Sequence, residues 1–201
     1  MRERPILFSA PMVRAILAGQ KTQTRRVVMP QPQHPQFGSR RMLALDDEGI
    51  DLYLHGGPLL PRAIRCPYGK PGDRLWVRET WNQFEGWKGY FYSADAHLFG
   101  IGEFDDPDHI PEDELRWKPS IHMPRAASRI TLEVTGVRVD RLQDISRGDA
   151  MAEGCPFPNM ADGDDPRQWF ADLWSQINGP EAWQANPWVW VVEFKRLEAA
   201  C

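Results

Sequence analysis

No apolar run in these 201 residues approaches the roughly 20 needed to cross a bilayer as a helix. The opening Met1-Arg2-Glu3-Arg4-Pro5 moves straight into an amphipathic pattern and lacks the longer apolar stretch of a signal peptide. A cytoplasmic protein is the expectation. Cysteine is scarce: Cys66, Cys155 and Cys201 stand far apart, without CxxC or CxxH spacing. That excludes a disulfide framework and leaves a structural zinc site no pattern to rest on. Asp106, Asp108, His109 and His97 could be assembled into a metal site on paper, but the acidic run around them has the look of a solvated loop. No metal and no cofactor are expected. Internal repeats are also lacking, which excludes a solenoid.

Apolar residues, by contrast, make up 42% of the chain, and nine of them are tryptophans. That is enough to build a core and to exclude wholesale disorder. The net charge of −4 hides an asymmetry. Residues 1–78 hold 13 Lys and Arg against 6 Asp and Glu; residues 79–201 hold 11 against 22. A basic first third suits a phosphate-bearing ligand, while the overall acidity argues against a broad, non-specific nucleic-acid binder. Pairing of those arginines with the later acidic residues within one domain is the alternative.

Ile6-Leu7-Phe8 suits a strand, and Ser9 with Pro11 opens a helix that Gly19 closes. Thr22 to Val28 is strand-like. Residues 30–41 lack periodicity, and 42–54 could form a hairpin. Arg74 to Trp81 is a strand with Leu75, Val77 and Glu79 on one face, and Gly89 to Ser93 its hairpin partner. Along Ser128 to Leu142 the apolar phase changes at Thr135-Gly136, the mark of a bulge. Asp144 to Glu153 forms a short helix capped by Ser146 with Asp149 at the capping-box position. Pro166 to Ile177 forms another, and Trp188 to Phe194 a strand apolar enough to be covered on both faces. The sum is an α+β fold, five to seven strands in a small barrel with about three helices.

Three residues carry the chemistry. Lys21 follows the helix-ending glycine, and Thr24 lies three residues on. Odd spacing within a strand puts side chains on opposite faces, so the two converge only if Lys21 still belongs to the turn. Glu79 ends an apolar strand face, where a partly desolvated carboxylate needs a cationic partner. A lysine whose pKa is lowered by desolvation can take the proton of a hydroxyl nucleophile, with a glutamate to orient it or shuttle the proton. Such a trio suits amide hydrolysis; a surface lysine, a strand threonine and an arginine-paired glutamate are the ordinary alternative.

The run Gly19-x-Lys21-x-x-Thr24-x-Arg26 resembles the GxKxxExR pattern of ASCH domains, relatives of the PUA fold, with threonine in place of glutamate. The resemblance covers Ile6 to Val28, Gly72 to Trp81, Ser128 to Leu142 and the last strand. It implies a single ASCH-like β-barrel domain over 1–201 with added loops at about 30–68, 82–127 and 145–187. A bacterial branch of small ASCH proteins hydrolyses the acetyl amide of N4-acetylcytidine with a lysine, a threonine in this position and a later glutamate. By that resemblance Thr24 is the nucleophile, Lys21 its base and Glu79 the proton-handling or orienting carboxylate. Taken whole, the chain is similar to phage and prophage proteins. RNA binding without catalysis and RNA cleavage are the other functions the family implies.

Arg25, Arg26 and Trp76 are further candidates for a nucleoside or RNA ligand. So is the segment Trp117-Lys118-Pro119-Ser120-Ile121-His122-Met123-Pro124-Arg125, in which Trp117 could stack on a base while Lys118, Ser120, His122 and Arg125 meet polar groups. A structural loop is its alternative reading. A monomer is assumed.

Overall fold

The computed structural model describes residues 1–29, 31, 51–54, 62–83, 89–98, 116–156 and 165–198. In chain order these form β1 (Glu3–Leu7), α1 (Ala10–Leu17), β2 (Gln23–Val27), β3 (Asp51–Leu54), β4 (Arg62–Arg65), β5 (Arg74–Arg78), β6 (Trp81–Asn82), β7 (Phe91–Tyr92), β8 (Thr131–Arg141), α2 (Arg147–Ala152), α3 (Pro166–Asn178) and β9 (Trp188–Leu197). Five strands make one sheet in the order β1-β5-β8-β9-β2. Among the described residues only the β1–β5 pair is parallel.

The fold is therefore mixed α+β, with three α-helices among the described residues, as the sequence predicts, but the sheet is not seen to close into the expected barrel. Among the described residues no ladder joins the edge strands β1 and β2. A side chain ties them instead: Arg26 Nη2 on β2 donates to the Leu7 carbonyl at the end of β1, at 2.7 Å. The expected hairpin is also displaced. Phe91–Tyr92 pairs with Trp81–Asn82, beyond the end of β5 rather than along it. Of the suggested hairpin at 42–54, residues 51–54 form β3 and pair with β4, and 42–50 lie outside the described residues.

Two apolar clusters sandwich the sheet. On one side Ile6, Phe8, Leu75, Val77, Leu132, Val134, Val192 and Phe194 pack with Val13 and Ile16 of α1. On the other, Val189 and Val191 pack with Ala150 of α2 and Phe170 and Trp174 of α3. Strand β9 thus feeds both cores, which explains its nearly unbroken apolar run. Truncating a buried aromatic such as Trp190 costs about 3–5 kcal/mol.

The bulge appears where the apolar phase changes, as a register shift between Val134 and Gly136. Glycine leaves room there for a side chain to cross: a Cβ on Gly136 would sit 2.6 Å from the Glu193 carboxylate, which would have to move aside. Helix α2 carries the expected capping box, with Ser146 Oγ accepting from the Asp149 N–H at 3.0 Å and the Asp149 carboxylate from the Ser146 N–H at 3.2 Å. Asp165 likewise receives the Arg167 N–H at the start of α3.

Candidate functional site

The turn after α1 delivers Lys21. Gly19 adopts φ +73°, open to glycine at little cost, and the N–H groups of Gln20 and Lys21 both return to the Ala15 carbonyl. Lys21 therefore precedes β2, forming an isolated bridge with Glu153 at the end of α2. Its Nζ donates to the Glu153 carbonyl oxygen at 2.8 Å and to Glu153 Oε2 at 2.7 Å. Both side chains are buried, 0% and 4% exposed. Burial holds the Lys21 pKa below the ordinary lysine value; the charge and hydrogen bond of Glu153 oppose this without cancelling it, and Arg26 and Arg25 lower it further.

Glu153 is shared. Its Oε1 receives Arg25 Nη1 at 3.3 Å, and Arg25 Nη2 stands 3.3 Å from Asp149 Oδ2. Arg25 is fully buried, its guanidinium 5.7 Å from the Phe170 ring centre. Asp149 also receives Arg138 Nη2 at 2.7 Å, and Arg138 in turn meets Asp140 and Glu193. Arg25 thus ties β2 to α2 from inside. It is a structural cation in this arrangement, not a group presented to a ligand.

Thr24 lies in β2 opposite Val192, so the two share a face, and Val192 belongs to the same apolar cluster as Phe8. Lys21 Nζ stands 5.7 Å from the Phe8 ring centre and the Arg26 guanidinium 5.4 Å. Lys21 and Thr24 therefore border one apolar region, Thr24 being 1% exposed. No hydrogen bond joins them.

Glu79 follows β5 on the face of Leu75 and Val77 and is 1% exposed. Its partner is Arg129, Nε to Oε1 at 2.9 Å and Nη2 to Oε2 at 3.0 Å. Arg129 also donates to Asp95 and lies 3.9 Å from the Tyr92 ring centre. Burial pushes the Glu79 pKa up, Asp95 adds to it, and the bonds and charge of Arg129 oppose it. No ion pair or hydrogen bond joins Glu79 to Lys21. What links the two is Phe8: its ring lies beneath Lys21, and its N–H donates at 3.1 Å to the carbonyl of Arg78, the residue before Glu79.

The remaining candidates lie elsewhere. Trp76 faces away from Leu75 and Val77, clasped between Arg78 at 4.6 Å and Arg125 at 5.9 Å from its ring centre. Arg125 also pairs with Glu3 at 3.1 Å. Trp117 is half-buried, and Lys118 pairs with Trp81 through its main chain while its Nζ stands 4.9 Å from that ring centre. Ser120 and His122 form a 3-10 turn, Ser120 half-buried and His122 exposed. That turn has a structural product: it buries Met123, whose Sδ accepts the Glu79 N–H at 3.3 Å.

Among the described residues no cluster of three or more His, Cys, Asp or Glu could hold a metal ion, and no helix is long and apolar enough to cross a membrane. Asp106, Asp108, His109 and the His97 side chain lie outside the described set.

No family model matches the sequence, and no curated protein matches it. Two solved structures resemble it in shape. One is a DUF984-family protein from Enterococcus faecalis, 10% identical, covering 98% of this chain and 81% of that one with a TM-score of 0.41. The other is an ASCH domain from Lactobacillus crispatus, 11% identical, covering 97% and 79% with a TM-score of 0.39. Likeness at this level does not bear on what the site does.

Proposed function

We propose that this chain is an ASCH-type hydrolase that removes the acyl group from a modified nucleoside of the N4-acetylcytidine kind. The observation that carries the reading is the buried Lys21, its amine lowered in pKa, bordering the same apolar region as the hydroxyl-bearing Thr24. Thr24 Oγ1 attacks the acyl carbonyl carbon and its proton passes to Lys21 Nζ. The tetrahedral species collapses with cleavage of the C–N bond, and the proton goes to the departing amino group. Water then hydrolyses the threonyl ester and releases the carboxylic acid. Glu79, gripped by Arg129, serves as a fixed carboxylate that accepts an N–H of the base. The test is incubation with N4-acetylcytidine, following cytidine and acetate by chromatography, for wild type beside Lys21→Ala and Thr24→Ala. Release by wild type alone supports the reading; an unchanged substrate with wild type overturns it.

A second reading, RNA binding without catalysis, is favoured by the Arg78–Trp76–Arg125 stack on the opposite side of β5. Two cations around an aromatic ring offer contacts to phosphate and base together.

A further inference from the structure

Lysine Nζ is tetrahedral, and Cε takes one of its four positions. Glu153 takes two more, one with its main-chain carbonyl at 2.8 Å and one with Oε2 at 2.7 Å. A single position remains, filled by an N–H in the ammonium or by the lone pair in the amine. We propose that Glu153 is the positioning residue of this site, fixing the direction in which the one remaining valence of Lys21 Nζ points. The catalytic consequence rests on the hydrolase reading; the hold itself does not.

Glu153 is well placed for the task because it is held in turn. Its N–H bonds the Asp149 carbonyl at 2.9 Å at the end of α2, and Arg25 secures the second carboxylate oxygen. Gly154, at φ +96°, turns the chain away directly against Lys21: a Cβ there would lie 3.2 Å from Lys21 Cβ. The charged groups facing Lys21 are Glu153, the residue that follows α2, and Arg25 and Arg26 from β2; Asp149 of α2 and Arg138 of β8 lie behind Arg25. A long, flexible lysine stem is thereby reduced to one orientation, the kind of preorganisation that favours proton transfer.

Two variants separate charge from orientation. Glu153→Gln keeps an acceptor oxygen and removes the charge, whereas Glu153→Asp keeps the charge and shortens the reach. Each is compared with wild type in two ways: by the pH titration of the Lys21 Cε resonance, assigned through its loss in Lys21→Met, and by kcat and KM on N4-acetylcytidine across pH. For folded Glu153→Gln we expect Lys21 to titrate at lower pH, with the rising limb of kcat/KM moving down alongside it. For Glu153→Asp we expect kcat to fall about tenfold or more, with KM within about threefold and the limb in place. A purely structural Glu153 would move neither kcat nor limb in the folded variants, and that result overturns the inference while leaving the hydrolase reading intact. If wild type shows no turnover, the hydrolase reading falls. An unmoved Lys21 titration in Glu153→Gln then overturns the inference independently, and a lowered one supports the hold. If Glu153→Gln does not fold, Glu153→Asp decides instead: the Lys21 titration is expected to stay in place, and a kcat equal to wild type overturns the inference, as does, without turnover, a Lys21 Cε chemical shift at fixed pH identical to wild type.

Discussion

Arg129 grips Glu79 through two parallel bonds, Nε to Oε1 at 2.9 Å and Nη2 to Oε2 at 3.0 Å. The carboxylate is 1% exposed and the guanidinium side chain 26%. One end of this pair is therefore dry and the other wet. Glu79 depends on Arg129 far more than Arg129, which also has Asp95, depends on Glu79.

Arg129→Ala strands a buried carboxylate, and the expected cost is about 3–5 kcal/mol in denaturant unfolding at neutral pH. Glu79 already has a folded pKa above its ordinary value, so its contribution to stability is fully present at acid pH and is lost as pH rises through the folded pKa. Removing Arg129 takes away what opposes that shift. The deficit of the variant relative to wild type should be small below pH 4.5 and grow as the pH rises. A deficit independent of pH would mean that Arg129 matters for packing alone.

Asp149 behaves in the opposite sense. Burial alone would raise its pKa, but the Ser146 hydroxyl and N–H, with Arg25 and Arg138, outweigh it and hold the carboxyl down at about 2. A depressed folded pKa contributes stability above the ordinary value of 3.8, and that contribution is lost as pH falls toward 2. Asp149→Asn removes the charge that Arg25 and Arg138 face and keeps one acceptor oxygen for the Ser146 N–H of the capping box. The variant should be less stable than wild type at pH 7, with the gap closing between pH 3.8 and 2 in an acid-unfolding series.

Local features were legible in the sequence because short-range patterns encode them. The Ser146–Asp149 capping box, the bulge at Gly136 and the doubly covered run of β9 all appear where the residues place them. For the candidate site, the sequence stated needs without naming partners. A carboxylate at position 79 needs a cation, but nothing in the alternation of Ile130, Leu132 and Val134 picks out Arg129, one residue before it. Glu153 is hidden more deeply. It caps a helix within what the family resemblance treats as an added segment, 132 residues from Lys21. Closure of the barrel was not legible because strand count and bulges predict curvature, whereas pairing of the two edge strands, which no ladder joins among the described residues, is a long-range matter.

Thr24 offers the sharpest test of chemistry against packing. Thr24→Val preserves shape and β-branching at a 1% exposed position in β2 and removes only the hydroxyl. If Thr24 is the nucleophile, kcat/KM on N4-acetylcytidine should fall by about 100-fold or more, while the melting temperature changes little. Thr24→Ser keeps the hydroxyl and should retain activity within about tenfold. Equal loss in both variants would assign Thr24 to packing.

The outer face of β5 makes a different prediction, because its cations are partly engaged already. Arg125 lies beside Trp76 yet pairs with Glu3 at 3.1 Å, both side chains more than 40% exposed, so the pair itself is weak and readily exchanged. If this face binds single-stranded RNA, the phosphate must take Arg125 from Glu3. Glu3→Gln should therefore strengthen binding, and Arg125→Ala should weaken it across sequences, with the slope of log K against log salt reduced by about 1. Arg78→Ala should act in the same direction as Arg125→Ala, since Arg78 covers the same ring. Fluorescence anisotropy with a labelled oligonucleotide at several salt concentrations reads all three. If affinity and slope stay at wild-type values in Arg125→Ala and Arg78→Ala, the stack serves only to cover Trp76, and RNA binding loses the one surface that favours it.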